Sequence, residues 1–375
     1  MLDRLPPELL LDILDLALPP PSSTQSSSER KRALLACAQV SSRIRPAAQA
    51  LLWRDVVLSR RPHLDRFKRA VQLVQGREDD LPSRVRTLRL LEEQAALAEA
   101  VLLLPELPYV EELHLRLRYS GDGDLERWSS HLSKLRSLQL VSTQVPSPFN
   151  PTLCFPSLVI LRFDGFLLPP HIPILANLTA ALFPSLCVLA LNSITRLSSD
   201  PSLPDPGLLA QLDFLQVSWM GSGARGGWQT YPPLAEAVPR TLWVFHAADL
   251  SLGHVITRTR AKHIFIRSSA KRESEAFFET LAVLLRSLKS LPADSTALRS
   301  LHLRPLAEPL DGDEEGMERE LEEQCRRCGV ELVWLSREED EMVDGVAAPF
   351  WRYAKRLREK EEKEVEEMRG RLSAV

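Results

Sequence analysis

The chain has 375 residues, 44% of them hydrophobic and 26% charged, an ordinary globular composition that excludes wholesale disorder. Its 47 Lys and Arg against 50 Asp and Glu leave a formal charge of −3, so no field of one sign exists for coating nucleic acid. No stretch reaches the roughly 18 apolar residues of a membrane span, Met1-Leu2-Asp3-Arg4 lacks the basic-then-apolar run of a signal peptide, and five cysteines do not make a disulfide scaffold. The expectation is a protein of the cytoplasm, the nucleus or both, in two or three domains, with neither membrane nor nucleic acid as partner.

In chain order, the first element is a helix that opens at Leu5-Pro6-Pro7-Glu8. Proline early in a helix gives up only an N–H that would be unpaired anyway, and Glu8 suits the positive end of the dipole. Leu5, Leu9 and Ile13 run along one face with Leu16 near it, while Leu10, Leu11 and Leu14 make the helix apolar over most of its circumference. Such a helix needs burial on two sides, and the helices that follow are few and short, so a partner surface is implied. Further helical blocks span Ala33–Ser41 and Ala47–Trp53, with Pro46 near the start of the latter. Between the first two, residues 19–31 form a low-complexity loop of three prolines, five serines and a charged end.

Together these blocks resemble the F-box, a three-helix motif. Its opening Leu-Pro-x-Glu-Leu and following apolar pair are matched by Leu5, Pro6, Glu8, Leu9, Ile13 and Leu14, and its middle by Leu34, Cys37, Val40 and Ser41. The closing Leu51-Leu-Trp-Arg-Asp-Val56 looks like fungal members in particular. The chain departs from the family at Ile44, where an aromatic residue is usual, and in the 19–31 insertion. The resemblance implies docking on the Skp-type adaptor of a cullin–RING ubiquitin ligase, with the domain behind the F-box capturing a protein substrate. It implies Leu5, Pro6, Leu9, Ile13, Leu14, Val40 and Ile44 as adaptor contacts. The alternative is that the same helices only cap the next domain, which leaves an interaction scaffold with no ligase role.

Pro62 to Gly76 reads as a connecting helix with Leu64, Phe67, Val71 and Val74 on its stripe. Beyond it a pattern L-x-x-L-x-L recurs, for example Val85-Arg-Thr-Leu88-Arg-Leu90, Leu135-Arg-Ser-Leu138-Gln-Leu140 and Leu298-Arg-Ser-Leu301-His-Leu303. Nine copies are clear, and a degenerate one lies near Leu242 to Phe245. The middle leucines at 88, 113, 138, 161, 189 and 215 are 23 to 28 residues apart. The alternating pair of each copy marks one face of a short strand. Stripes such as Leu125, Trp128, Leu132, Leu135 and Ala96, Leu97, Val101, Leu104 mark helices between strands. One strand–helix unit cannot bury its apolar face alone, so neighbours must stack. This organisation resembles the leucine-rich-repeat family, although the family's asparagine is not regular here and the step from Ile264 to Leu301 stretches to 37 residues.

The expected fold class is α/β: an N-terminal three-helix F-box, residues 1–60, then a connecting helix and linker, 61–80. An irregular leucine-rich-repeat solenoid of parallel strands and connecting helices fills 81–340, and an aromatic cap with a charged helical tail ends the chain, 341–375. Residues between and beside the core leucines should line the concave wall, namely Arg89, His114, Arg116, Gln139, Arg162, Gln216, Ser218, His302 and Arg304. Their charges lean basic, so the wall could grip a substrate with acidic or phosphorylated segments, or serve solubility alone.

The remaining motifs point away from catalysis. Gly221-Ser-Gly-Ala-Arg-Gly226 lacks a following helix, because Gly227, Pro232 and Pro233 block it. Asp311, Asp313, Glu315, Gly316 and Glu322 have the spacing of a calcium loop but lack an entering helix, since Pro305 and Pro309 precede them. Cys325-Arg-Arg-Cys328 has no second cysteine pair for zinc and sits at a helix end, where the dipole opposes thiolate. Arg258, Arg260, Lys262, His263 and Arg267 form a basic run without an aromatic platform. No G-x-S-x-G elbow occurs. No cofactor, no metal and no catalytic residue is expected.

Overall fold

The computed structural model describes residues 5–18, 24–74, 82–91, 103–117, 133–142, 154–164, 167–168, 178–192, 195–196, 205–218, 241–245, 261–267, 275–291, 297–303 and 313–334, with Ile256, Lys363 and Glu366. The chain divides into two compact units, Met1–Gln211 with Trp219–Gly227, and Leu212–Ser218 with Trp228–Val375.

The first unit begins with α1 (Pro7–Ala17), α2 (Thr24–Val40) and α3 (Ile44–Arg54). Leu34 of α2 and Ala48 and Leu51 of α3 form their core, against which Leu11, Leu14, Leu18, Cys37, Ala38 and Leu52 pack. The small Ala48 and Ala38 let the helices approach closely, and the leucines fill the space between. Asp15 on α1 receives the guanidinium of buried Arg30 on α2 and that of Arg54 on α3, the latter at 3.2 Å. That bridge explains a departure from expectation. The segment 24–31, expected as loop, is the first half of α2. Arg30 continues the helical period inward to a carboxylate, and serines are tolerated in the opening turn.

Strand β1 (Asp55–Leu58) follows α3 without an intervening residue, and α4 (Arg61–Val74) comes next, burying Leu64, Phe67 and Val71 as one stripe. The Trp53 and Phe67 rings meet at 5.5 Å, tying α3 to α4. β1 is an extra copy of the repeat that sequence reading assigned to the F-box end. Its Trp53-x-x-Val56-x-Leu58 matches the pattern, and Val56 and Leu58 are buried while Asp55 and Val57 face the other way.

The repeats follow as β2 (Thr87–Leu90), β3 (Glu112–Leu117), β4 (Ser137–Ser142), β5 (Ile160–Asp164), β6 (Leu167–Leu168), β7 (Val188–Asn192) and β8 (Thr195–Arg196), with α5 (Pro206–Gln211) last. The sheet order is β1-β2-β3-β4-β5-β7, every pair parallel, and β6 pairs with β8 in a small second sheet. In register, Leu88, Leu113, Leu138, Leu161 and Leu189 form one buried ladder, and Leu90, Leu115, Leu140, Phe163 and Leu191 a second. The two Phe-Pro-Ser-Leu copies make a third: Phe155 and Phe183 stack at 5.4 Å, and the Gln211 side chain donates to the carbonyl of Phe183 at 2.6 Å.

The second unit holds β9 (Phe214–Ser218), β10 (Thr241–Phe245), β11 (His263–Arg267), α6 (Glu275–Ser290), β12 (Ser300–Leu303), α7 (Asp313–Arg327) and β13 (Glu331–Trp334), with consecutive strands parallel. Leu215, Leu242, Ile264, Leu301 and Leu332 align in register. In the last strand the L-x-x-L-x-L spacing from Val330 would put Val333 and Leu335 in these places, but Leu332 takes the first of them. Gly329, at φ 68°, turns the chain out of α7 in a left-handed conformation, and the Val330 N–H donates back to the Cys325 carbonyl at 2.8 Å. The strand thereby starts with Leu332 and Trp334 level with Leu301 and Leu303.

The helix stripe at Leu125 to Leu132 and most of that at Ala96 to Leu104 lie outside the described residues, as do the glycine motif at 221–226, Asp311, Arg258, Arg260 and nearly all of the charged tail.

Candidate functional site

Among the described residues, the N-terminal helices leave several large apolar side chains in water. Leu9 and Ile13, one turn apart on α1, are 49% and 41% exposed, and Leu16 on the same stripe is 87% exposed. Val40 at the end of α2 is 79% exposed. The Arg43 guanidinium donates to the Leu5 carbonyl at 3.2 Å, which brings the start of α1 beside the α2–α3 turn. Ser41 shapes that turn by accepting the Arg43 N–H at 3.2 Å. Pro6 is exposed there, and Leu5 and Ile44 are half-buried. Leu14 instead packs on the bundle core, and Leu10, 3% exposed, points inward between Leu9 and Leu11. Leu16 and Leu35 are exposed apolar side chains beyond the seven residues named from sequence. Leu16 was legible from its place seven residues after Leu9; Leu35 carried no signal apart from Leu34.

The outward face of the strands gathers four of the nine residues expected on the concave wall. Arg89, His114, Gln139 and Arg162 are cross-strand neighbours in a row, each half-buried. The row is not a basic surface. Arg162 Nε donates to both carboxylate oxygens of Asp164, at 2.7 and 2.9 Å, and Gln139 donates to the same carboxylate at 2.5 Å. Asp55 and Glu112 place negative charge near Arg89, whose pKa burial nevertheless lowers. Burial, with the charges of Arg89 and Arg162 adding, pulls His114 down to about 3, outweighing its hydrogen bond with Gln139. At neutral pH the imidazole is uncharged.

Gln216 is half-buried on β9. For Arg116 and Ser218 the structure describes the strand backbone alone, and Arg304 lies outside the described residues. His302 is a correction: it was expected to face solvent, but it is 2% exposed. It stacks on Phe265 at 4.1 Å between centroids, and Ser300 Oγ lies 2.6 Å from its Nε2 and 2.6 Å from His263 Nδ1. β12 is covered on both faces, so alternation along it does not sort side chains into core and solvent. Burial, with His263 contributing, pulls His302 down to about 3.

Cys325 and Cys328 are buried at the end of α7, and burial, with Cys328 and Glu322 adding, pushes the Cys325 thiol up to about 12. A thiol so raised is neither a nucleophile nor a ready metal ligand at neutral pH. Among the described residues no three His, Cys, Asp or Glu side chains form a group able to hold a metal ion, and no helix is long and apolar enough to cross a membrane.

The geometry defines a class of protein: a helical module with an open apolar face, joined to stacked parallel repeats with a polar outer row. Residues 2–59 match the F-box-like family, so the N-terminal module is F-box-like. A crystal structure of an internalin, InlF of Listeria monocytogenes, is similar over 69% of this chain and 76% of that one, at 14% identity and a TM-score of 0.29. The parallel strand register and its leucine ladders define the stacked repeats. No curated protein matches the sequence.

Proposed function

We propose that this chain is a substrate-receptor subunit of an SCF-type cullin–RING ubiquitin ligase, itself without catalytic chemistry. The observation that carries the reading is the coincidence of the F-box-like match with an apolar face, Leu9, Ile13, Leu16 and Val40, that its own chain leaves in water. Leu9, Ile13 and Leu16 share one stripe of α1, and an exposed apolar patch of this kind marks a protein-binding surface. The adaptor contacts would be Leu5, Pro6, Leu9, Ile13, Val40 and Ile44, with Leu14 acting from the core beneath them. The strand face of the first unit then holds a protein substrate through the polar row of Arg89, His114, Gln139 and Arg162. Because Asp164 already neutralises Arg162, shape and hydrogen bonding rather than a basic field would select that substrate. Such a complex works in the cytoplasm or nucleus.

The test is co-purification of the full chain with a Skp-type adaptor and a cullin. A stoichiometric ternary complex is expected. Failure of the intact, folded chain to bind the adaptor would overturn the ligase reading and leave an interaction scaffold whose helices only cap the repeats.

A further inference from the structure

A cavity of about 580 Å³ lies where the helical module meets the first strands, walled by α2, α3, β1, α4 and β2. Its size falls in the range of about 300–1,000 Å³ typical of small-molecule sites. Most of the wall is apolar, with Trp53, Phe67, Leu34 and Leu51 among its residues. Among the described residues its polar groups are unbalanced: Arg30, Lys31, Arg66 and Arg89 line it against a single carboxylate, Asp55.

Two of those cations are already matched. Arg30 is ion-paired with Asp15, and Arg89 is held among Asp55 and Glu112. Lys31 and Arg66 are exposed and make no ion pair among the described residues. His63, also on the wall, is occupied with Ser59 at 3.3 Å. The site therefore offers an apolar interior with aromatic walls and two cations left for one anionic head. A neutral apolar molecule would leave both cations unused, and a polyanion would have no partner for its further charges. We propose that this cavity binds a single-headed amphipathic anion, an alkyl or aryl carboxylate or its phosphate counterpart, with the head on Lys31 and Arg66 and the body against Trp53 and Phe67. Such a ligand would touch both the F-box-like helices and the first repeat strands. The inference is independent of the ligase reading.

The experiment is calorimetric titration of the full chain with three probes: decanoate below its micelle concentration, decanol below its solubility limit, and acetate. Decanoate is expected to bind, and decanol and acetate each to bind at least about tenfold more weakly, the worth of one charge-assisted contact or of part of the chain's burial. Lys31→Glu with Arg66→Glu should abolish decanoate binding. Should that double variant fail to fold by circular dichroism, Lys31→Gln with Arg66→Gln replaces it and should weaken decanoate about tenfold or more. No binding of decanoate, equal binding of decanol or acetate, or decanoate affinity untouched by the charge substitutions would each overturn the proposal.

Discussion

Leu9 and Leu10 are chain neighbours on α1, one exposed and one buried, and substituting each with aspartate separates docking from folding. Leu9 is 49% and Ile13 41% exposed, so about half of each side chain is still in water. Full burial of such a side chain contributes about 1.5–3 kcal/mol, which leaves about 1 kcal/mol per residue for a partner to gain. A carboxylate at each position forfeits that gain and adds several kcal/mol for desolvating charge at an interface. Leu9→Asp with Ile13→Asp should therefore weaken adaptor binding by more than about 4 kcal/mol, or about a thousandfold. The free chain loses only the buried halves, about 2 kcal/mol for both. Leu10, 3% exposed, is different. Leu10→Asp puts a charge in the bundle interior and should cost more than about 3 kcal/mol of stability. Titration of each variant with the adaptor, beside urea unfolding followed by circular dichroism, reads both quantities. Unchanged adaptor affinity of the Leu9/Ile13 double variant, or a stability loss equal to that of Leu10→Asp, would refute the assignment of the open face.

Leu138→Ala, at a fully buried rung between Leu113 and Leu161, should cost about 2–5 kcal/mol, seen as a lower urea midpoint of the first unit. His114 has a folded-state value of about 3 against 6.5 ordinarily, so the unfolded chain takes up its proton first. Its contribution is complete above pH 6.5 and is lost as pH falls toward 3, at up to about 1.4 kcal/mol per unit. His114→Gln should flatten the pH dependence of stability between pH 6.5 and 5 by up to about 2 kcal/mol; an identical slope in urea midpoints would contradict the burial assigned to it. Asp164→Asn weakens the anchor of Arg162 and should destabilise by about 1–3 kcal/mol in the same assay.

The solenoid was legible because its signal is periodic. A strand with one buried face must alternate, and a stack must repeat, so Leu88, Leu113, Leu138, Leu161 and Leu189 announced themselves by spacing. The misreadings have local causes. Trp53-x-x-Val56-x-Leu58 went unrecognised as a repeat because its first residue also ends a helix that reads as part of the N-terminal motif. In β13 the left-handed Gly329 shifted the pattern by one residue, and three consecutive apolar residues, Leu332, Val333 and Trp334, gave no alternation to fix the phase. His302 misled for a related reason: alternation reports solvent only where one face is wet, and β12 is dry on both. For the proposed docking residues, sequence could show that α1 had too much apolar surface, but which leucines serve the bundle depends on where Leu34, Ala48 and Leu51 sit. The polar row was harder still, because Asp164 lies two residues from Arg162 and its effect depends on side-chain geometry that no pattern encodes.

The junction between the modules bears most directly on the proposed role. α3 runs into β1 with no loop, and β1 is hydrogen-bonded in parallel register to β2 through Val56↔Leu88 and Leu58↔Leu90. A helix and a strand sharing a continuous backbone cannot reorient without breaking either the last turn of α3 or the first rung of the sheet. Arg86 adds to the join, its N–H bonding the Arg54 carbonyl at 3.0 Å. α4 closes the same corner from the side through Phe67 on Trp53. Interfaces between domains joined by linkers permit relative motion by default. Here the last F-box-like helix leads straight into the first repeat strand, so a partner seated on Leu9 and Ile13 and one seated on the row at Arg89 and His114 would be held in one frame. Fixed separation is what transfer from a donor on one partner to an acceptor on the other requires. A flexible tether would give the two partners a high local concentration but no preferred geometry.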